Sequence, residues 1–476
     1  MDPTFSFLGL VILVVELAGL YSAVHAILFT RTSQGAIAWA FPLVLFPFAA
    51  VPLYWVFGGK KFEGYVCARR EGELRLKHIT EELSQYSEEF TSGLEHPVDD
   101  LKVVEQLAAL PFTKHNHVEL LVDGPATFAA IFAGIQSAQD YILVQFFIIH
   151  DDELGRELQK HLLAKLKAGV RVYFLYDGIG CYQLPKEYLR ALTDAGAEVC
   201  SFRNSTGWRT RFQLNFRNHR KIVIVDGLSA YVGGHNVGDE YMGRSQRFGH
   251  WRDTHVKLTG PAVQCVQLSF IEDWYCATHE APKLVWAPQS AADGDKDTIV
   301  IASGPADELE TCSLFFVQAI HTARRRLWIT SPYFVPDAQV IAALQLAALR
   351  GVDVRILLPE KPDHLLVYLS GFSFVEETEP AGVKFYRYQP GFLHQKVMLV
   401  DDQFATVGTA NLDNRSFRLN FEITIAALDE DFAAEVAAML ETDFTNSRLT
   451  GADELRARPW WFKVAVQVSR LMAPVQ

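Results

Sequence analysis

The hydrophobic pattern opens with two long apolar stretches, Phe5 to Phe29, broken by Glu16, Ser22 and His25, and Gly35 to Phe57, which runs across Pro42, Pro47 and Pro52. Each is long enough for the roughly 20 residues that cross a bilayer core, so the pattern predicts two transmembrane helices within residues 1–60. The start MDPT lacks the basic segment of a cleaved signal peptide, and the first apolar run is too long for one. Arg31 is the cation between the stretches, whereas Lys60, Lys61, Arg69 and Arg70 follow the second. By the positive-inside rule, both the N-terminus and the bulk of the chain then lie in the cytoplasm. Glu16 is expected to face protein within its span.

Beyond residue 60 the pattern changes. Residues 61–110 mix acidic and basic positions, as in EGELRLKHITEELSQYSEEF, and read as a charged helical connector. From there short apolar runs bounded by polar residues recur, which suits buried strands. In FLHQKVMLVDD, residues 392–402, His394 and Lys396 stand two apart before the run Val397 to Val400, which closes on Asp401. Residues i and i+2 of a strand share a face. His394 and Lys396 are therefore expected side by side at the mouth of a buried strand.

The same frame occurs about 175 residues upstream, where FRNHRKIVIVDG carries His219, Lys221 and Asp226 around Ile222 to Val225. A small-residue turn follows each copy, with Asn236 in GGHN and Asn411 in GTAN. The flanks repeat as well: LKAGVRVYFLYDG and ALRGVDVRILLPE each read as a helix end, a glycine stop and a buried strand. A motif that recurs in register marks a duplicated unit. The expected class is α/β, with two βαβ-rich lobes related by pseudo-twofold symmetry and a mainly parallel sheet. The lobes are placed at residues 111–289 and 298–476, joined by the linker SAADGDKD at 290–297.

Charge and cysteines narrow the chemistry. A net charge of -12 disfavours a general nucleic-acid binder. Six scattered cysteines form neither a CxxC nor a Cys/His cluster, so neither structural zinc nor a disulfide framework is expected. Cys181 reads as a small buried hydrophobe. The tail RPWWFKVAVQVSRLMAPVQ sets Trp460, Trp461 and Phe462 beside Arg458, Lys463 and Arg470. It suits either a membrane interface or ordinary packing of a C-terminal helix.

If the lobes meet about their pseudo-twofold axis, one cleft holds His219, Lys221, His394 and Lys396, with Asn236 and Asn411 on nearby turns. Two lysines and two amides suit the nonbridging oxygens of a phosphoryl group. One neutral histidine can attack phosphorus while the other, protonated, delivers a proton to the leaving alcohol oxygen. Such a site requires neither metal nor cofactor. Asp226 and Asp401 lie seven residues beyond their histidines; parity turns them to the opposite strand face, where they are expected to support a strand-end turn. The carboxylates that orient the histidines are sought on the following strands, in GHWRDTHVKLTG and NFEITIAAL. Asp253 and Glu422 are the candidates there, with a surface salt bridge as the alternative role.

The paired HxKxxxxD motifs, followed by GGHN and GTAN, resemble the phospholipase D superfamily. With AIAWAFPLVLFP, WRDTHVKLTGPAV, SPYFVPD and GTANLDNRSFRLNFE also present, the similarity is to the bacterial cardiolipin synthases within it. That resemblance implies transfer of a phosphatidyl group between two phosphatidylglycerol molecules through a phosphohistidine, by a multi-pass enzyme of the bacterial cytoplasmic membrane. It implies His219, Lys221, Asp226, His394, Lys396 and Asp401 as the catalytic motifs, with Asn236 and Asn411 beside the lysines at the phosphate. By this analogy His219 is the nucleophile and His394 the acid and base, an assignment the local sequence leaves open. A phospholipase D hydrolase, a transferase using another alcohol and an inactive lipid-binding scaffold are the alternative readings. His235 departs from the usual apolar residue of its turn and is expected to pack inward.

Overall fold

A computed structural model describes residues 3–30, 33–58, 65, 87–93, 99–202 and 215–476. The topology-setting cations Arg31, Lys60, Lys61, Arg69 and Arg70, and most of the expected connector, lie outside the described residues. The N-terminal helices and the α/β body fall into separate compact units.

The first apolar stretch forms one helix, Pro3–Phe29, of which Phe7–Phe29 is long and apolar enough to cross a membrane. The second stretch differs from its expectation. It forms two shorter helices, Ser33–Leu45 and Pro47–Phe57, and among the described residues no second helix of spanning length occurs. The break falls at Phe46, with φ -137° and ψ 54°. A residue before proline is driven out of the α region, and Pro47 has no N–H to donate; hydropathy averaged over the stretch cannot register either effect. Gly19 lies against this junction, where an added Cβ would collide with the Leu43 carbonyl and Pro47.

In the body, two lobes repeat one strand order. From the centre outward the first lobe runs Thr113–Val122, Thr254–Thr259, Ser229–Gly233, Ile222–Val225, Tyr141–Phe146, Arg171–Asp177, Glu198–Phe202. The second runs Lys296–Ser303, Asn420–Leu428, Phe404–Gly408, Val397–Val400, Arg326–Thr330, Asp353–Pro359, Lys384–Tyr388, with Ser447–Thr450 added at its edge. The central strands of the two lobes pair antiparallel, Thr113 opposite Thr298, and fuse the halves into one sheet.

The sheet is mixed, whereas a mainly parallel one was expected. Within this sheet parallel pairing is confined to three strands of each lobe, Tyr141–Phe146, Arg171–Asp177 and Glu198–Phe202 in the first and Arg326–Thr330, Asp353–Pro359 and Lys384–Tyr388 in the second, and the edge strand Ser447–Thr450 joins antiparallel. The strand after each His-Lys pair instead turns back in a tight hairpin. In the first lobe Asp226 and Gly227 have φ of 54° and 68°, and Leu228 N–H donates to the Val225 carbonyl at 2.9 Å. Two successive positive φ values make the Asp-Gly turn whose twist matches antiparallel strands.

Helix punctuation repeats too. Asp152 and Asp337 cap the helices Glu153–Lys167 and Ala338–Leu349 by accepting from Gly155 N–H and Val340 N–H, each at 3.0 Å. Gly169 and Gly351 stop those helices at φ of 87° and 91°, a conformation costing other residues about 1–2 kcal/mol. Each lobe packs its helices on its own apolar core, one around Phe128, Phe174 and Leu158, the other around Phe315, Leu344 and Phe385.

Candidate active site

Each repeated histidine stands just before its buried strand, and the opposite lobe holds it there. His219 N–H donates to the Phe421 carbonyl at 2.9 Å, and His394 N–H donates to the Arg252 carbonyl at 2.8 Å. The residue after each acceptor is a carboxylate, so the side chains repeat the exchange. His219 Nδ1 lies 3.0 and 2.9 Å from the two oxygens of Glu422, and His394 Nδ1 lies 2.7 Å from Asp253 Oδ2. Both carboxylates are fully buried, which excludes the surface salt-bridge alternative. Each lobe thus supplies the carboxylate for the other lobe's imidazole.

Glu422 is itself fixed. Thr409 Oγ1 donates to Oε2 at 2.6 Å, and Ser416 Oγ and Asn420 Nδ2 donate to Oε1 at 2.8 and 3.2 Å. Asp253 Oδ1 accepts from Thr254 N–H at 2.8 Å. Where the second lobe has Thr409 the first has Gly234, whose missing Cβ is the space that Asp253 fills. Sequence reasoning passed over Ser416 and Asn420. They lie in the quoted stretch DNRSFRLNFE, and the available signal was its run of hydroxyl and amide residues leading to Glu422.

Burial pushes both imidazoles down to about 4, despite the opposing pull of the Glu422 and Asp253 carboxylates, so both rings are neutral near pH 7. The next influence differs between them. Glu422 acts most strongly on His219, whereas the Lys396 ammonium acts most strongly on His394, with Nζ 3.0 Å from its Nδ1. Burial opposes ionisation of Glu422, but His219 and Lys221 outweigh it. Burial likewise opposes ionisation of Asp253, and Lys396, His235 and His394 hold it low.

Lys221 and Lys396 are buried, and burial lowers both, Lys396 to about 8. Lys221 Nζ donates to the His219 carbonyl at 2.5 Å, and Lys396 donates to the His394 carbonyl. The charge of Lys396 acts on Lys221 and on His219. His219, Lys221, His394, Lys396, Asp253 and Glu422 therefore form one electrostatic cluster.

The remaining candidates separate into neighbours and outliers. Asn236 Oδ1 accepts from Ile148 N–H at 3.1 Å and Nδ2 donates to Tyr241 Oη at 3.2 Å. Asn411 is buried in the matching turn, its N–H donating to Ser416 Oγ at 3.0 Å. His235 is fully buried against Phe128 and His255. Cys181 is buried and its thiol raised to about 12, so it remains protonated.

Asp226 and Asp401 are not brought to the cluster, and their place among catalytic residues is corrected accordingly. Asp226 accepts from Gln139, Asp140 and Tyr141 N–H at 2.7 to 2.8 Å. Asp401 does the same for Arg324, Arg325 and Arg326, at 2.9, 2.7 and 3.0 Å. Each ties its hairpin to the start of the neighbouring strand, at the strand end away from the histidine. Among the described residues no group of three or more His, Cys, Asp or Glu converges to hold a metal ion.

A family model described as "Cardiolipin synthase, PLD-like domain" matches the chain twice, over residues 131–254 and 316–444, one match to each lobe. The chain belongs to this cardiolipin synthase family. Cardiolipin synthase A of Pseudomonas fluorescens is 49% identical over 98% of both chains. That of Pseudomonas syringae is 48% identical over 100% of this chain and 99% of its own. The crystal structure of Haemophilus influenzae phosphatidylserine synthase covers 79% of this chain and 100% of its own, with TM-score 0.58 and 16% identity, a likeness of fold. Both cardiolipin synthase family matches contain one repeated histidine and the carboxylate that the opposite lobe uses.

Proposed function

We propose that this chain is a cardiolipin synthase that transfers a phosphatidyl group from one phosphatidylglycerol to a hydroxyl of a second, giving cardiolipin and glycerol. The reciprocal pairing of His219 with Glu422 and His394 with Asp253 carries this reading. It supplies two neutral imidazoles, each with Nδ1 bound to a carboxylate, beside two buried lysines. A carboxylate on Nδ1 fixes the tautomer that leaves the Nε2 lone pair for chemistry.

His219 is the nucleophile in this proposal. Its Nε2 attacks phosphorus, the bond to the glycerol oxygen breaks, and His394 gives that oxygen a proton. The positive phosphohistidine that forms is stabilised by Glu422, whereas the Lys396 charge beside His394 favours release of the proton from that ring. The anionic phosphodiester favours the imidazolium form of His394 when substrate arrives. In the second half, neutral His394 takes the proton from the acceptor hydroxyl, that oxygen attacks phosphorus, and the bond to His219 breaks. Lys221 and Lys396 offset the charge on the nonbridging oxygens. Asn236 and Asn411 complete this cradle; Asn236 Nδ2 has one N–H engaged with Tyr241 and another for a phosphate oxygen.

The enzyme would sit in the bacterial cytoplasmic membrane with its lobes on the cytoplasmic side, and Phe7–Phe29 supports a membrane location. We include a second crossing, made jointly by Ser33–Leu45 and Pro47–Phe57. Phe46 N–H still donates to the Pro42 carbonyl at 2.7 Å and Ala50 N–H to the Phe46 carbonyl at 3.0 Å, so i to i−4 bonds continue on both sides of the kink. Incubating the purified chain with phosphatidylglycerol labelled in both its acyl chains and its head group tests the reaction. Cardiolipin and glycerol in equal amounts are expected; phosphatidic acid as the main product would overturn the synthase reading.

A further inference from the structure

The C-terminal helix Trp460–Arg470 uses one face for packing and leaves the other uncovered. Val466 and Phe462 pack with Leu369 and Phe372 of the helix Leu365–Thr378, and Ser469 Oγ donates to the Leu366 carbonyl at 2.6 Å. On the opposite face Trp460, Val464, Val468 and Leu471 recur at helical spacing, 76%, 52%, 58% and 78% exposed, with Trp461 beside them. Leu365 and Leu366 on the adjacent helix are also exposed. A contiguous apolar surface of this kind marks a binding face.

We propose that this face lies in the surface of an anionic phospholipid bilayer and holds the mouth of the reaction cleft against it. Composition selects that occupant. Residues 456–471 hold Arg456, Arg458, Lys463 and Arg470 and no acidic residue, and although Arg456, Arg458 and Arg470 pair with Asp453, Glu454 and Glu377 outside that segment, Lys463 bonds to the Arg456 carbonyl and keeps its charge for an anionic head group. Tryptophan beside lysine and arginine is the composition of the membrane interface. Continuity with the cleft gives the second argument. Leu365 follows two residues after Asp363, which accepts from Tyr333 Oη at 2.5 Å and whose charge acts on both His394 and Lys396. The exposed leucines therefore begin at the rim of the histidine cluster, and the tryptophans extend the same surface. The inference rests on the proposed lipid reaction only for the use of this contact.

The test places a benzoylphenylalanine photocrosslinker at Val464 or Val468 in the full chain, reconstituted in vesicles of phosphatidylglycerol and phosphatidylcholine with labelled acyl chains. Leu349, 70% exposed on a different helix, serves as the comparison position. Lipid adducts at 464 and 468, at least fivefold above those at 349, are expected. Equal labelling at all three positions, no adduct, or an adduct between two protein chains would each overturn the proposal, the last by making a second copy the occupant. None of these readouts depends on catalysis. A W460E/W461E variant should lose about tenfold in turnover of vesicle phosphatidylglycerol while staying within twofold on a short-chain, monomeric substrate. Equal losses on both would count against a bilayer role.

Discussion

His219 Nδ1 and Glu422 Oε2 lie 2.9 Å apart across 203 residues of chain, and the contact crosses from one lobe to the other. His394 and Asp253 make the reverse crossing at 2.7 Å. Each half of the duplicated fold is therefore chemically incomplete until it docks on its partner. This follows from where the histidines hang. Their N–H groups bond to the carbonyls of Phe421 and Arg252, the residues immediately before the two carboxylates.

Removing the negative charge from either orienting group should damage catalysis without unfolding the protein. In Glu422→Gln and Asp253→Asn the amide can donate to Nδ1, which favours the wrong tautomer and places the proton on Nε2. By comparison with other histidine-carboxylate pairs, turnover should fall about 10³ to 10⁴-fold. Steady-state kinetics alongside circular dichroism checks this; a loss below tenfold in a folded variant would refute the orienting role.

The two histidines should separate when the leaving group no longer needs a proton. With a p-nitrophenyl phosphatidyl ester, His394→Ala should release its first equivalent of nitrophenol in a burst at a rate within about tenfold of the parent, since general acid catalysis is worth about 10² to 10⁴-fold and this substrate bypasses it. His219→Ala should stay inactive. Phosphohistidine should accumulate in His394→Ala, because the base for the acceptor hydroxyl is missing, and mass spectrometry would place it on residue 219. Phosphate found on residue 394 would reverse the assignment.

The same activated ester isolates two titrations. His219 is pushed down to about 4 by burial and reacts as the neutral ring, so its contribution is present at neutral pH and lost as pH falls through about 4. Lys396 is pushed down to about 8 by burial and acts as the cation, so its contribution is lost as pH rises through about 8. The kcat/KM profile should therefore be a plateau between those limits. An acid limb near the ordinary histidine value of about 6.5 would contradict the burial argument. Stability should follow its own sign. Between the unfolded value of about 6.5 and the folded value of about 4 the unfolded chain binds more protons, so the melting temperature should fall as pH drops through that window.

Much of this centre was legible in the sequence because duplication is a sequence property. His219 and His394 share a frame with their lysines and turns, and strand parity then excluded Asp226 and Asp401 from orienting them. The need for another carboxylate then directed attention to the following strands, and to Asp253 and Glu422 there. Parity could not say that each serves the other lobe, because that depends on how two sheets dock and no single strand encodes it. The support given to Glu422 by Thr409, Ser416 and Asn420 has no periodic signature. The kink at Phe46 was hidden for a different reason: a mean hydropathy does not feel the missing N–H of Pro47, although the proline itself was in plain view. The antiparallel hairpin of the first lobe was signalled by Asp226-Gly227, a turn dipeptide, whereas the parallel expectation came from the repeated helix, glycine and strand flanks, which describe the outer strands alone.

Asp226 and Asp401 supply the last test, since resemblance groups them with the catalytic residues while their contacts are with backbone. Each accepts from three successive N–H groups, and asparagine would keep one acceptor oxygen and lose the other. At about 1–3 kcal/mol for donors left unsatisfied, Asp226→Asn and Asp401→Asn should each lower stability by that order. Both residues also sit at positive φ, 54° and 52°, which asparagine tolerates well, so the change isolates the lost acceptor from backbone strain. Denaturant titration should show the shift in midpoint, while turnover per folded molecule stays within about fivefold. The outcome that would restore them to the chemistry is a 10³-fold loss of turnover in a variant whose unfolding midpoint has not moved, because the strand-end contacts alone give no route to such an effect.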